Sequence, residues 1–231
     1  MVKRGLAASN VSMSISEKII ERLRAEGVPF KSNDNIAEYV SEDELAQLHD
    51  EVTEKVRAVL RALVIDLEND PNMEETAERI AKMYLEETFA GRYHAMPKVT
   101  YFPNTKELHD MLIVGNIPVR STCSHHFAPI MGEAWVGIVP GDKVIGISKF
   151  SRLISWIMSR PQIQEESTVQ IADLLETLIA PKGIAVYIKA NHACMAWRGV
   201  KDTHSCMTTM VMRGDFENPD KRREFLEACK P

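Results

Sequence analysis

Cysteine and histidine are scarce in this chain, and apolar runs of membrane-spanning length are absent. Four cysteines, at positions 123, 194, 206 and 229, and seven histidines occur in 231 residues. No stretch approaches the roughly 20 consecutive apolar residues that cross a bilayer as a helix. The opening "MVKRGLAASNVSMS" carries two early cations but no apolar segment behind them, so it does not read as a secretory signal. A loose tail over residues 1–12 is expected instead. Without an export signal, four cysteines are poor grounds for disulfides. Free thiols or metal ligands in a reducing, cytoplasmic setting are expected. A basic excess is missing too: 28 Lys and Arg stand against 33 Asp and Glu, a net charge of −5. That balance argues against a general nucleic-acid binder. Nor does the chain hold an internal repeat or a low-complexity linker.

With 45% hydrophobic residues, the chain can bury one sizeable core with appendages, or two small domains. The first third reads as helical. "SISE" (Ser14 to Glu17) and "SEDE" (Ser41 to Glu44) have the form of capping boxes. Behind the first, Ile15, Ile19, Ile20 and Leu23 keep helical spacing until Gly27 and Pro29. Behind the second, Leu45, Leu48, Val52, Val56, Val59 and Leu63 form a stripe suited to packing and subunit contact. A third helix is expected to start near Asn72 and to carry Ile80, Met83, Tyr84 and Phe89.

The remainder alternates strands and helices. "DMLIVGNIPVRST" and "FAPIMGEAWVGIVP" read as strands, and "KVIGISKF" as a short strand running into the helix "SRLISWIMSR". Pro161 suits the first turn of the next helix. "GIAVYIKANHAC" and "HSCMTTMVMRG" return as strands before a closing helix in "NPDKRREFLEACK". The order β-β-α-α-β-β behind a helical N-terminal part implies an α+β fold with one mostly antiparallel sheet. Three regions are expected: the tail 1–12, a helical region 13–92 and a catalytic domain 93–231.

"STCSHHFAPI" (121–130) places Cys123, His125 and His126 within four positions. Cys123 and His126, three apart, face one point in a tight loop or a single helical turn. Thiolate and imidazole together suit zinc, which takes mixed sulfur and nitrogen ligands. Alone, C-x-x-H is a weak pattern. "NHAC" adds His192 and Cys194, which project from one face of an extended chain. Four ligands, such as Cys123, His126, Cys194 and Cys206, would make a closed structural site. Three would leave room for a water, whose pKa zinc lowers towards about 7. Spacing leaves both open. His125 is either free for proton transfer or a hydrogen-bonded core histidine.

Cations and a carboxylate complete the inventory. "SKFSR" gives Ser148, Lys149 and Arg152 where a strand passes into a helix, a setting suited to phosphate groups. Arg198 follows Cys194 by four residues, and Arg79 and Lys82 share a helix face. Each alone is most often a solvated surface charge. Gln164 and Glu165 open a helix, where the carboxylate either eases the helix dipole or holds the N–H edge of a guanine.

"ERIAKMY", "STCSHHFAPIMGEAWVGIVP", "VIGISKFSRLI", "RPQIQE" and "HACMAWRGVKD" together resemble the GTP cyclohydrolase I family, in family order from about residue 70 to the C-terminus. The resemblance implies the tunnelling fold, pentameric rings that stack into a homodecamer, and active sites between subunits. It implies hydrolysis of GTP at C8, release of formate and rearrangement to 7,8-dihydroneopterin triphosphate, the first step of pterin and tetrahydrofolate synthesis. Zn2+ would be held by Cys123, His126 and Cys194. His125 would donate a proton at the imidazole ring, and His192 would assist opening of the ribose. Glu165, with Gln164, would anchor the guanine. Lys149, Arg152 and Arg198 would hold the triphosphate with Ser148 nearby, supported by Arg79 and Lys82. The cations suit an anionic substrate on a slightly acidic protein.

Two positions depart from the family pattern: Ser124 stands where glutamate is common, and "TAERIAKMY" lacks the proline of "TPxRIAKMY". The first removes a negative charge beside the metal. Two other readings remain at this point. One is a non-catalytic protein with a structural zinc site that includes Cys206. The other is a sibling enzyme of 7-deazaguanine metabolism, which uses a cysteine nucleophile and a nicotinamide cofactor and needs no zinc.

Overall fold

Ser14 and Ser41 each begin a helix by accepting the backbone N–H three residues on, while Glu17 and Glu44 reach back to the serine N–H. In the computed structural model, which describes residues 13–229, these boxes open α1 (Ile15–Ala25) and α2 (Glu42–Ala62). The expected tail over 1–12 lies outside the described residues.

Contacts divide the chain into two units. The first comprises residues 13–29 and Glu38–Lys82 and holds α1, α2 and α3 (Thr76–Lys82). Ile19 and Leu23 on α1 and Leu48 and Leu60 on α2 are buried. Arg22 ties the two helices through paired hydrogen bonds to Glu44, at 2.9 and 2.5 Å, and a third to the Tyr39 carbonyl. Val59 and Leu63 stay exposed, so the apolar stripe of α2 is only partly buried. The third helix starts at Thr76 rather than near Asn72. The Asp70 carboxylate accepts both the backbone and the side-chain N–H of Asn72, which holds that stretch as a turn.

The second unit comprises Phe30–Ala37 and residues 83–229. After a π-helical turn (Met83–Thr88) come α4 (Ala90–Tyr93), β1 (Tyr101–Pro103), β2 (Leu112–Cys123), β3 (Pro129–Val139) and β4 (Lys143–Ile145). Then follow α5 (Ile147–Met158), β5 (Pro161–Gln162), α6 (Gln164–Ile179), β6 (Gly183–His192), α7 (Ala193–Ala196), β7 (Met207–Gly214) and α8 (Pro219–Ala228). The expected order survives as β2-β3-α5-α6-β6-β7. The main sheet runs β5-β2-β3-β6-β7, antiparallel except where β5 meets β2, and β1 with β4 forms a separate ribbon.

Period-two alternation divides the sheet residues between two cores. Ala134 and Val136 of β3 and Ile184, Val186 and Ile188 of β6 pack with Leu153 and Ile154 of α5 and Ile171 and Leu175 of α6. Trp135 and Ala185, one position out of step, pack with Phe216 and with Phe225 of α8.

Two boundaries differ from expectation. Pro161 is in β5, opposite Thr122, and α6 starts only at Gln164. Proline has no N–H to contribute, so it is tolerated in a two-residue edge bridge. Ser148 and Lys149 belong to the first turn of α5, because β4 ends at Ile145 and Gly146 caps the helix.

Buried arginine fastens the Phe30–Ala37 segment. Arg160 is 6% exposed, stacks over the Trp156 ring at 4.1 Å, and donates to the Gly91 and Asn33 carbonyls, each at 3.0 Å. Burial lowers its pKa to about 10. Beside it, α4 lies so close to α5 that a β-carbon on Gly91 would sit 1.9 Å from the Trp156 carbonyl oxygen. Gly91→Ala is therefore expected to cost about 2–3 kcal/mol in chemical denaturation. Gly146→Ala, with nothing within 4 Å of the added carbon, is the control and should change stability by less than about 0.5 kcal/mol.

Candidate metal centre and active site

β2 ends at Cys123 and β3 begins at Pro129, so a short loop must reverse the chain. The Cys123 N–H donates to the Ala128 carbonyl, and the Phe127 N–H donates to the Cys123 carbonyl, both at 2.8 Å. Closing this loop puts Phe127 at φ +50°, a costly conformation for a bulky residue. Its ring packs against Phe89 and Tyr84, with centroids 5.3 and 5.8 Å away. The Ser124 N–H donates to the Gln162 carbonyl at 3.0 Å, so β5 holds the loop whichever side chain stands at 124. Cys123 is buried, and His125 and His126 are exposed on the loop.

The register of β3 against β6 brings the second cluster to the same place, with His192 opposite Ile130. His192 and Cys194 do not share an extended strand, contrary to expectation. β6 ends at His192, and Cys194 turns inward on the single-turn α7. Ligand atoms of Cys123, His126 and Cys194 all lie within 4.8 Å of one another. Among the described residues this is the one group of three or more such side chains that could hold a metal ion. Cys206 is exposed and stands apart from it, so the closed four-ligand shell is not assembled.

The donor set suits a cation. Burial, and then the Cys123 thiol beside it, hold the pKa of Cys194 above its ordinary value. Two adjacent thiolates repel unless a metal lies between them, and a coordinated thiol is deprotonated outright. Two sulfurs and an imidazole are compatible with zinc. Arg198 donates to His126 Nε2 at 3.1 Å, and His125 Nδ1 is 3.9 Å from Cys123 Sγ.

Behind the loop, His192 Nε2 lies 2.8 Å from Gln164 Oε1. Burial lowers the pKa of His192, opposed by the charge of Glu165. Glu165 itself is exposed on the first turn of α6. Gln164 is 1% exposed and its amide is fully engaged within the protein, which leaves it no free edge for a guanine.

Ser148, Lys149 and Arg152 share the first turns of α5, and none of them has a hydrogen bond to the cysteine–histidine group. Arg152 instead lines a cleft of about 440 Å³ with His94, Trp156 and Ser159. Arg79 and Lys82 belong to the first unit, on α3, where Arg79 pairs with Glu75 at 2.5 Å.

The family model for GTP cyclohydrolase I matches residues 52–230. This chain belongs to the GTP cyclohydrolase I family. The GTP cyclohydrolase 1 of Aeromonas hydrophila subsp. hydrophila is 42% identical over 186 residues, covering 80% of this chain and 85% of that protein. That of Actinobacillus pleuropneumoniae serotype 5b is 41% identical over 178 residues, or 76% and 81% of the two chains. A crystal structure of the apo archaeosine synthase QueF-Like overlays on 45% of this chain and 93% of that one, at 15% identity and a TM-score of 0.38, too distant to bear on function. Family membership makes the chain an enzyme of this type, and the α+β architecture agrees with the family's tunnelling fold.

Thr168 and Thr209 were not legible as site residues, although they surround Gln164. The one available signal was Thr168 itself, four residues after Gln164 on the same helical face.

Proposed function

We propose that this chain is a zinc-dependent GTP cyclohydrolase, which converts GTP and a net water into formate and 7,8-dihydroneopterin triphosphate. The observation that carries the reading is the convergence of Cys123, His126 and Cys194, with His125 beside them, in a chain of this family. Cys123, Cys194 and His126 would hold the ion. Zinc there supplies Lewis acidity that makes water a usable nucleophile near neutral pH. His125, exposed on the loop, delivers a proton to the imidazole ring of guanine as it opens. His192 moves a proton during opening of the ribose. Glu165 receives the guanine N–H edge, and Arg198, Lys149, Arg152 and Ser148 bind the triphosphate. Arg79 and Lys82, in the first unit, keep the supporting role that the family resemblance implies.

The chain acts as a homo-oligomer, of the ring type that the family resemblance implies. Two open sheet edges support this: among the described residues, β5 covers only Thr122 and Cys123 of β2, and β7 is paired with β6 alone. Unpaired edges invite strand addition. We place the reaction in the cytoplasm, in keeping with four free cysteines and with no described helix long and apolar enough to cross a membrane. The 7-deazaguanine alternative is not favoured, since both relatives described above are GTP cyclohydrolases.

Incubating the zinc-loaded full chain with GTP tests the reading. One formate per GTP should appear, with a product that becomes a fluorescent pterin on oxidation. Protein that binds GTP and leaves it intact would overturn it.

A further inference from the structure

We propose that Thr168 and Thr209 are positioning residues that hold Gln164, and through it His192 with its proton on Nε2, in place for proton transfer. The inference rests on the role given above to His192. Gln164 Nε2 lies 3.2 Å from the Ile188 carbonyl, 3.2 Å from the Met207 carbonyl and 3.1 Å from Thr209 Oγ1. Backbone carbonyls only accept, so the amide nitrogen must face them. Its oxygen must then face His192 Nε2, 2.8 Å away. An amide oxygen also only accepts, so Nε2 holds the hydrogen. The lone pair of the neutral ring is left on Nδ1.

The two threonines extend this one-way chain. Thr168 donates its only hydroxyl hydrogen to the Gln164 backbone carbonyl at 2.7 Å, where Ser167 also donates at 2.8 Å. Thr209 stands 2.7 Å from Thr168 Oγ1 and must donate to it. That commits the hydrogen of Thr209, and its oxygen is left to accept from the Gln164 amide. Every hydrogen in the relay therefore has one direction, from His192 through Gln164 and Thr209 to Thr168. Thr168 and Gln164 are each 1% exposed, which shields the bonds between them from water, while Thr209 and His192 are half-buried. Because Thr209 pairs with Ile188 across β6 and β7, the relay fastens α6 to both strands at the end where His192 sits. An inverted amide would bring three oxygens together, two of them backbone, without a hydrogen between them.

Two measurements on the zinc-loaded full chain test the proposal. Nitrogen-15 spectra of histidine-labelled protein, with His192 assigned through the His192→Asn variant, should show the Nε2–H tautomer in the neutral ring. In Thr209→Val the amide nitrogen still faces the Ile188 and Met207 carbonyls, so the Nε2–H form should persist. Formate release by that variant should fall about five- to tenfold in kcat, while KM for GTP changes less than about twofold. Thr209→Ser, which restores the hydroxyl, should recover kcat to within about threefold of the parent. An Nδ1–H ring in the unmodified protein overturns the proposal, as does a Thr209→Val variant with unchanged kcat. If Thr209→Val fails to fold, the spectrum of the unmodified chain still decides. An Nε2–H ring in a protein that leaves GTP intact would sink the proposed function and spare this inference.

Discussion

Cys123→Ser is expected to lose its metal and, with it, formate release from GTP. A serine hydroxyl does not ionise near neutral pH, so the substitution removes one of three ligands and a negative charge. The loop should survive, because its turn rests on backbone hydrogen bonds from Cys123 to Ala128 and from Phe127 to Cys123. Zinc content, measured by mass spectrometry after dialysis, should fall from about one ion per chain to below about 0.1, and kcat/KM by about a thousandfold or more. Cys194→Ser should behave alike, since its sulfur belongs to the same group. Cys206→Ser is the internal control and should keep its metal, because Cys206 is exposed and outside that group. If Cys206→Ser shed the ion while Cys123→Ser kept it, the ligand assignment would be wrong.

His125→Ala should separate chemistry from metal binding. His125 is exposed, and its closest polar contact is the 3.9 Å approach to Cys123 Sγ, so its removal leaves no buried group unpaired. Full zinc content and an unchanged denaturation midpoint are expected. A general acid contributes about 10²- to 10⁴-fold, and kcat should fall by that order with little change in KM for GTP. A fall of less than about threefold, with zinc retained, would remove His125 from the proton-transfer role.

The sequence and the structure agree best where the signal is local. Ser14 with Glu17 and Ser41 with Glu44 announce helix starts within four residues, and both boxes form. The alternation around Ala134, Trp135 and Val136 is equally local, and it sorts the side chains onto two cores. Misjudged boundaries depend on distant partners. Pro161 is an acceptable first helical residue, and only its pairing with Thr122 of β2 makes it a strand. Asn72 resembles a helix cap until Asp70 claims its N–H.

The candidate site was legible for a different reason. Cysteine and histidine are rare enough here that two short clusters attract attention before any contact is known. Which cysteines converge was legible from the family resemblance but not from spacing, because Cys194 reaches Cys123 only through the register that sets His192 opposite Ile130. Spacing alone kept Cys206 as a fourth ligand, and the fold leaves it outside. Thr168 and Thr209 carry no comparable rarity. A threonine in a strand such as "MTTMVM" is ordinary, and its hydrogen bond to Gln164 exists only after α6 packs on β7.

X-ray absorption at the zinc edge of the metal-loaded full chain tests the central claim most directly. Two sulfur scatterers per ion, with the remaining first-shell atoms nitrogen or oxygen, are predicted from Cys123, Cys194 and His126. A shell of three or four sulfurs, or one without sulfur, would contradict it.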